Sequence, residues 1–308
     1  MMKILITGGT NGMGKGVAKV LASIDNQSHE IIILCRSKEL GDKVIEEFKE
    51  TTLNEKVSLV ICDLTKLSDV DNAISEIQNK HTFLDGIFIN AGLGYAAQRV
   101  ETEDGMDPHF QVNYLSHFML TLNLLSLLEK SQSGGRVIFN VTEGGKINWD
   151  DIQMEKDWGY EAGIQQAMVA KRMLLVKLHN LYKNKNNSKI SFIGFQIPKT
   201  VWSNQINIIP VFMRMMATLM KVFGRFITIE ECGEMMAPLF TENQEESLKK
   251  SGKFITLKNN EFLEIKEDME ILNQELQEKL WEISLELCAD EKTTQISKSL
   301  FSLEQFDG

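Results

Sequence analysis

The sequence predicts an α/β fold: a doubly wound parallel sheet of about seven strands with helices on both faces. Three observations carry this. Short β-branched runs recur near residues 3–7, 30–35, 57–62, 84–90, 135–141, 189–196 and 253–257. Amphipathic stretches of helical period separate most of them. The first run leads straight into a glycine-rich turn and then a helix. Such alternation lays strands parallel, and right-handed crossovers wind the sheet outward in two directions.

Composition sets the outer limits. The chain has 308 residues, 43% hydrophobic and 25% charged, which excludes disorder and collagen-like repeats. No repeat or long linker divides it, so one domain is expected over residues 1–308. Lys183-Asn-Lys-Asn-Asn-Ser188 reads as a turn between helix and strand. There are 33 basic and 43 acidic residues, a net charge of −10, and no dense basic block. That balance excludes a nucleic-acid binder. Cys35, Cys62, Cys232 and Cys288 are far apart with no Cys-x-x-Cys pair, so neither a metal site nor a disulfide framework is expected. Free thiols fit a reducing, cytoplasmic setting. Lys3–Thr7 reads as a buried strand, not as an apolar leader with a cleavage site. The apolar run Ile206–Ile227 contains Arg214, Lys221 and Arg225, which argues against a bilayer span.

The first strand ends in Thr7-Gly8-Gly9-Thr10-Asn11-Gly12-Met13-Gly14. Glycines there let the backbone turn tightly and approach a pyrophosphate, and the following helix offers unpaired N–H groups and its positive dipole end. In this position the motif is that of a Rossmann-type nucleotide site. The second strand ends at Cys35-Arg36. A carboxylate there would accept bonds from a ribose 2′-hydroxyl, whereas a guanidinium pairs bidentately with a 2′-phosphate. NADP is therefore expected over NAD, against the alternative of a plain surface arginine. After the third strand, Asp63-Leu64 sets a carboxylate within reach of an adenine amino group, with an ordinary helix N-cap as an equal alternative. Near the C-terminus, Met269, Leu272, Leu276, Leu280, Ile283 and Leu287 recur at helical steps and predict one core-facing helix. The tail after Glu291 is polar and is expected to fray.

Taken together these motifs resemble the short-chain dehydrogenase/reductases, in particular the branch of retinol dehydrogenases and protochlorophyllide reductases. The resemblance also runs through Asn90-Ala91-Gly92, Phe110-Gln-Val-Asn-Tyr-Leu-Ser-His-Phe118, Arg136-Val-Ile-Phe-Asn-Val141, Asp151-Ile-Gln-Met-Glu-Lys156 and Leu280-Trp-Glu-Ile-Ser284. It implies that Asn90, Ala91 and Gly92 close the fourth strand against the adenine ribose. It implies that Asn113 holds a water in a proton relay and that Lys171 binds the nicotinamide ribose. Ser203 falls where the family has a threonine touching the cofactor. A homodimer through the helices carrying Asn113 and Lys171 is also implied.

Three places depart from that pattern, one being Gln196-Ile-Pro198-Lys199 after the sixth strand, where the family has a proline–glycine pair. The family's proton-donating tyrosine lies four residues before the lysine, and here that residue is Ala167. No Tyr-x-x-x-Lys occurs anywhere in the chain. Where the family has two serines after the fifth strand, this chain has Thr142 and Glu143. Simple alignment puts Glu143 in the functional position, and a slip of one residue exchanges the two. Near Lys171 and a nicotinamide, Glu143 would be ionised: a possible base, or simply the partner of Lys171.

Residues 200–228 correspond to the family's substrate lid. Met213, Met215, Met216 and Met220 suit an adaptable apolar pocket, and Trp202 and Phe195 could line it. A lid ranks first for this segment, a partner surface second and an anionic membrane surface third; a lid packed on the core is the plainest form. The expected function is an atypical NADP(H)-dependent oxidoreductase acting on a small apolar substrate. Its proton would come from Glu143, Thr142, Tyr160, water or the substrate. The alternatives are an NADP(H)-binding sensor or scaffold without turnover, and a non-redox cyclase or lyase with Glu143 as base.

Overall fold

The computed structural model describes residues 1–24, 29–183, 185, 188–202 and 211–302. The chain runs β1 (Lys3–Thr7), α1 (Gly12–Ser23), β2 (Glu30–Cys35), α2 (Lys38–Thr52), β3 (Val57–Ile61), α3 (Leu67–Lys80) and β4 (Gly86–Ile89). A short turn α4 (Pro108–Phe110) leads through a π-helical stretch at Gln111–Leu115 into α5 (Ser116–Glu129). Then come β5 (Arg136–Asn140), α6 (Tyr160–Lys183), β6 (Ser191–Gln196), β7 (Thr200–Val201), α7 (Val211–Val222), β8 (Phe226–Ile227), α8 (Ile229–Thr241) and α9 (Gln244–Lys250). The chain closes with β9 (Phe254–Lys258), β10 (Glu261–Ile265), α10 (Met269–Leu272), α11 (Gln274–Cys288) and α12 (Glu291–Ser302).

The main sheet has eight strands in the order β10-β9-β6-β5-β4-β1-β2-β3. Seven are parallel, as the alternation predicts. The eighth, β10, is an antiparallel hairpin partner of β9 through Asn259 and Asn260, both in the left-handed region. The sequence reading missed it because Glu261 and Glu264 dilute its apolar pattern. Chain direction along the sheet reverses between β1 and β4, so the carboxyl ends of these two strands open a crevice.

Alternate residues of each strand feed opposite layers. Leu5, Ile32, Leu34 and Ile87 face α3, α5 and α6, whereas Ile4, Ile6, Ile31 and Ile33 face α1, α2 and α8. The second layer is unusually close. A Cβ on Gly16 of α1 would lie 1.8 Å from the Ile229 carbonyl, and one on Gly233 of α8 would lie 2.3 Å from the Gly16 carbonyl. The far end of α8 is held by buried Arg136, whose Nη1 donates to the carbonyls of Phe240 (2.6 Å) and Glu242 (3.0 Å).

The C-terminal reading needs correction. The apolar stripe from Met269 is two helices, because Asn273 ends α10 and caps α11 through Leu276 N–H. Met269 is 82% exposed and belongs to no core. The tail is helix α12, not a frayed end, and its Thr293 and Ser297 are buried. Asn123 of α5 donates to Thr293 (2.7 Å), Tyr114 bonds Ser284 (2.7 Å), and Trp281 donates to Ser297 (2.8 Å). These helices pack against α5 and α6.

Gly16→Ala is expected to cost about 2–3 kcal/mol, since backbone and not a side chain must move to admit the methyl. Chemical denaturation against wild type measures this; a loss below about 0.5 kcal/mol would show that α1 and α8 separate freely.

Candidate functional site

The crevice is organised by Thr7. Its Oγ1 accepts from Asn90 N–H (2.9 Å) and Ala91 N–H (3.0 Å), using both lone pairs. Its single hydrogen is left for the Phe88 carbonyl or His117 Nε2, each at 3.1 Å. Asn90 Nδ2 also donates to the Thr7 carbonyl (3.0 Å). The glycine turn rests on this clasp. Gly8 has φ +72°, and a Cβ there would lie 3.0 Å from Ala91 Cα. A Cβ on Gly14 would lie 2.5 Å from the Gly8 carbonyl and 2.6 Å from Asn90 Nδ2. Side chains at either position would fill the bend. Asn11 is the N-cap of α1 and its side chain makes no capping bond, so the helix's first N–H groups are not taken by it. Thr10 and Asn11 open onto a cavity of about 420 Å³, with Lys15, Trp202, Lys221 and Phe226 on its other walls. Met13 is half-buried beneath the turn.

Arg36 follows the last residue of β2, is exposed, and has no hydrogen-bond or ion-pair partner among the described residues. Asp63 is not the N-cap of α3, which begins at Leu67 after Lys66. Its carboxylate instead accepts from Thr65 N–H (3.0 Å) and Thr65 Oγ1 (2.8 Å), closing a turn of its own. Leu64 is buried, with its carbonyl bonded by Ser116 Oγ (2.7 Å). Ser203 lies outside the described residues.

Asn113 stands in the π-helical stretch, and its amide is engaged at both ends by Leu93: Oδ1 accepts from Leu93 N–H (2.6 Å) and Nδ2 donates to the Leu93 carbonyl (3.1 Å). A Cβ on Gly92 would lie 3.1 Å from Asn113 Oδ1. The side chain thus shapes the exit of β4.

Lys171 is 1% exposed, and among the described residues its Nζ has one polar contact, the Asn140 carbonyl at 3.5 Å. Burial pushes its pKa from 10.5 down to about 7. His117, also buried, is held down to about 3 by desolvation and then by the Lys171 charge, so it is neutral. Glu143 does not pair with Lys171: both Glu143 and Thr142 are exposed at the mouth of the crevice. Ala167, one turn before the lysine, is fully buried. Tyr160 is a poor stand-in, because its hydroxyl bonds Glu161 (3.0 Å) and its pKa is raised by that bond. Phe195 is core, edge-on to Phe262, and does not line the pocket.

Several residues of the rim escaped the sequence reading. Arg172 Nη1 donates to the Gly144 carbonyl (3.1 Å) and Nη2 to the Glu267 carboxylate, tying the loop after β5 to the approach to α10. Gln166 spans Asn148 N–H (2.7 Å) and the Ile152 carbonyl (2.7 Å), pinning that loop to α6. His109 is buried against Gly163 and bonds the Gly94 carbonyl (2.9 Å). Asp151 gathers the N–H groups of Glu155, Lys156 and Asp157, which explains the compact Asp151–Lys156 stretch. Arg172, Gln166 and His109 join segments apart in sequence, so no local spacing announces them.

Residues 2–153 match the short chain dehydrogenase family. The human polyprenol dehydrogenase is 32% identical over 183 residues, 58% of this chain and 54% of the relative. Human retinol dehydrogenase 13 is 31% identical over 172 residues, 54% of this chain and 50% of the relative. The chain thus spans about half the length of these relatives. Among solved structures, L-sorbose reductase from Gluconobacter frateurii, complexed with NADPH and L-sorbose, superposes with a TM-score of 0.64 at 16% identity, covering 83% of this chain and 94% of that one. A short chain dehydrogenase from Shigella flexneri complexed with NADP gives 0.60 at 21% identity, covering 83% and 96%. Both establish likeness of fold.

Burial of the Lys171 ammonium has a pH signature. Between about pH 7 and 10.5 the unfolded chain holds a proton that the folded chain has lost. The destabilising contribution is therefore full below pH 7 and fades as pH rises toward 10.5. Lys171→Met should raise the melting temperature of cofactor-free protein more at about pH 6 than at about pH 10. An equal gain at both would show that the ammonium is solvated.

Proposed function

We propose that this chain, whose residues 2–153 match the short chain dehydrogenase family, is an NADP(H)-dependent oxidoreductase for a small lipophilic substrate that works without the family's tyrosine. The observation that carries the cofactor choice is Arg36, exposed at the carboxyl end of β2 with no partner among the described residues. NADP fits the site's own features. The bend at Gly8 and Gly14 leaves room that a Cβ would fill, Arg36 awaits an anion, and Lys171 is a buried donor with one long bond.

When bound, the cofactor supplies or takes up a hydride. Gly8 and Gly12–Gly14 would admit its diphosphate, with Thr10 and Asn11 beside it; Arg36 would take the 2′-phosphate and Lys171 the ribose. Asp63, Leu64, Asn90, Ala91 and Gly92 would border the adenosine.

The acid–base end is where the chain goes its own way. A methyl at Ala167 neither donates nor accepts a proton, and general acid–base groups contribute about 10²–10⁴-fold. Lys171, poised to change charge near neutral pH, is the buried group at the end of β5 that can hold a proton or release one. Thr142 and Glu143, exposed at the mouth, are free to meet a substrate. These features favour hydride transfer to a conjugated C=C or C=N bond, or to a substrate that carries its own acid. The same methyl favours a second reading, a cofactor-binding protein without turnover.

Fluorescence titration with NADPH and NADH tests the cofactor. NADPH should bind more tightly, and Arg36→Glu should weaken NADPH by about 10–100-fold while leaving NADH nearly unchanged. Equal affinities in the wild type would refute the assignment. Enones, imines, ketones and alcohols are then screened at the nicotinamide absorbance. Change with enones or imines supports the oxidoreductase, and silence beside tight NADPH binding establishes the second reading. Ala167→Tyr should add ketone reduction if Asn113 and Lys171 still form a working relay.

A further inference from the structure

The excursion between β7 and β8 leaves and rejoins the body at one place, where Thr200 pairs with Phe226 and Val201 with Ile227. Its helix α7 is turned inside out. Spacing places Arg214, Ala217 and Lys221 on one side, and Phe212, Met215, Met216 and Leu219 on the other. On a soluble surface helix the apolar side faces the core. Here Phe212 is 73% exposed, Met215 68%, Leu219 56%, and at the end of the helix Val222 80% and Phe223 73%. The opposite side lies toward the body: Arg214 and Ala217 are half-buried, and the Lys221 ammonium stands 4.1 Å from the centre of the Trp202 ring.

Charge says what could cover such a face. From Ser191 to Ile229 the chain has no Asp or Glu and four Lys or Arg, although the whole chain carries −10. Lys199 and Arg225 are exposed near the C-terminal end of the apolar patch, with Lys199 donating to the Gly224 carbonyl (3.0 Å). A second copy fits poorly, because a twofold contact would bring these cations onto their own equivalents. An anionic bilayer fits: its acyl region takes the apolar side, and its phosphates meet the flanking ammonium and guanidinium groups. No helix among the described residues is long and apolar enough to cross a membrane.

We propose that α7 is an interfacial foot that seats this protein on an anionic lipid surface, with the cavity beside Trp202 and Lys221 next to the headgroups. This deepens the lipophilic-substrate reading by giving such a substrate a source, though the surface stands without it.

Co-sedimentation of the full chain with phosphatidylcholine vesicles, with and without about a third phosphatidylserine, tests it. Binding should be about tenfold or more stronger to the anionic vesicles and should fall with salt. The exposed pair Phe212→Glu with Leu219→Glu should lose it about tenfold or more, with unchanged melting temperature and NADPH titration. Absence of wild-type binding to anionic vesicles, or undiminished binding by the double variant, overturns the proposal. So does a concentration-dependent dimer, seen by light scattering without vesicle binding and abolished by the same variant. If the vesicles bind while NADPH does not, the foot stands and the cofactor reading falls.

Discussion

The hydroxyl of Thr7 is the contact on which the crevice depends. It stands at the carboxyl end of β1, where the sheet changes direction, and accepts the two backbone N–H groups that lead the chain out of β4. Both groups belong to half-buried residues, and Thr7 is the side-chain acceptor that satisfies them. The glycine bend packs against the same residues, and Asn113 shapes the backbone just beyond them through Leu93. One side chain thus registers the phosphate end, the exit of β4 and the buried His117 against one another.

This hierarchy explains what the sequence disclosed. Gly8, Gly12 and Gly14 are legible because a bend between a strand and a helix needs its residues adjacent in the chain. The parallel strands are legible because burial on both faces leaves continuous apolar runs such as Ile31–Leu34. β10 was hidden by its two glutamates, and the break at Asn273 by a stripe that continues across it in sequence but not in space. Arg172 looks like one more cation on a helix; only the fold brings Gly144 and Glu267 to it. The pairing of Glu143 with Lys171 failed for the same reason: which way the loop after β5 turns is decided by Gln166 and Arg172, far along the chain.

The two ends of the crevice differ in character. After β1 there is a bend with no room for side chains, and after β2 an arginine with no partner among the described residues. Beyond β5 lie the buried methyl of Ala167 and the buried Lys171, whose described polar contact is the Asn140 carbonyl at 3.5 Å.

The two-residue pairing of β7 with β8 has an evolutionary consequence. Because entry and exit of the excursion are clamped side by side, its length and composition can change at only a logarithmic entropic cost, without disturbing the sheet. The segment is in effect a replaceable cassette, so its sequence can vary while the bend after β1 stays as it was.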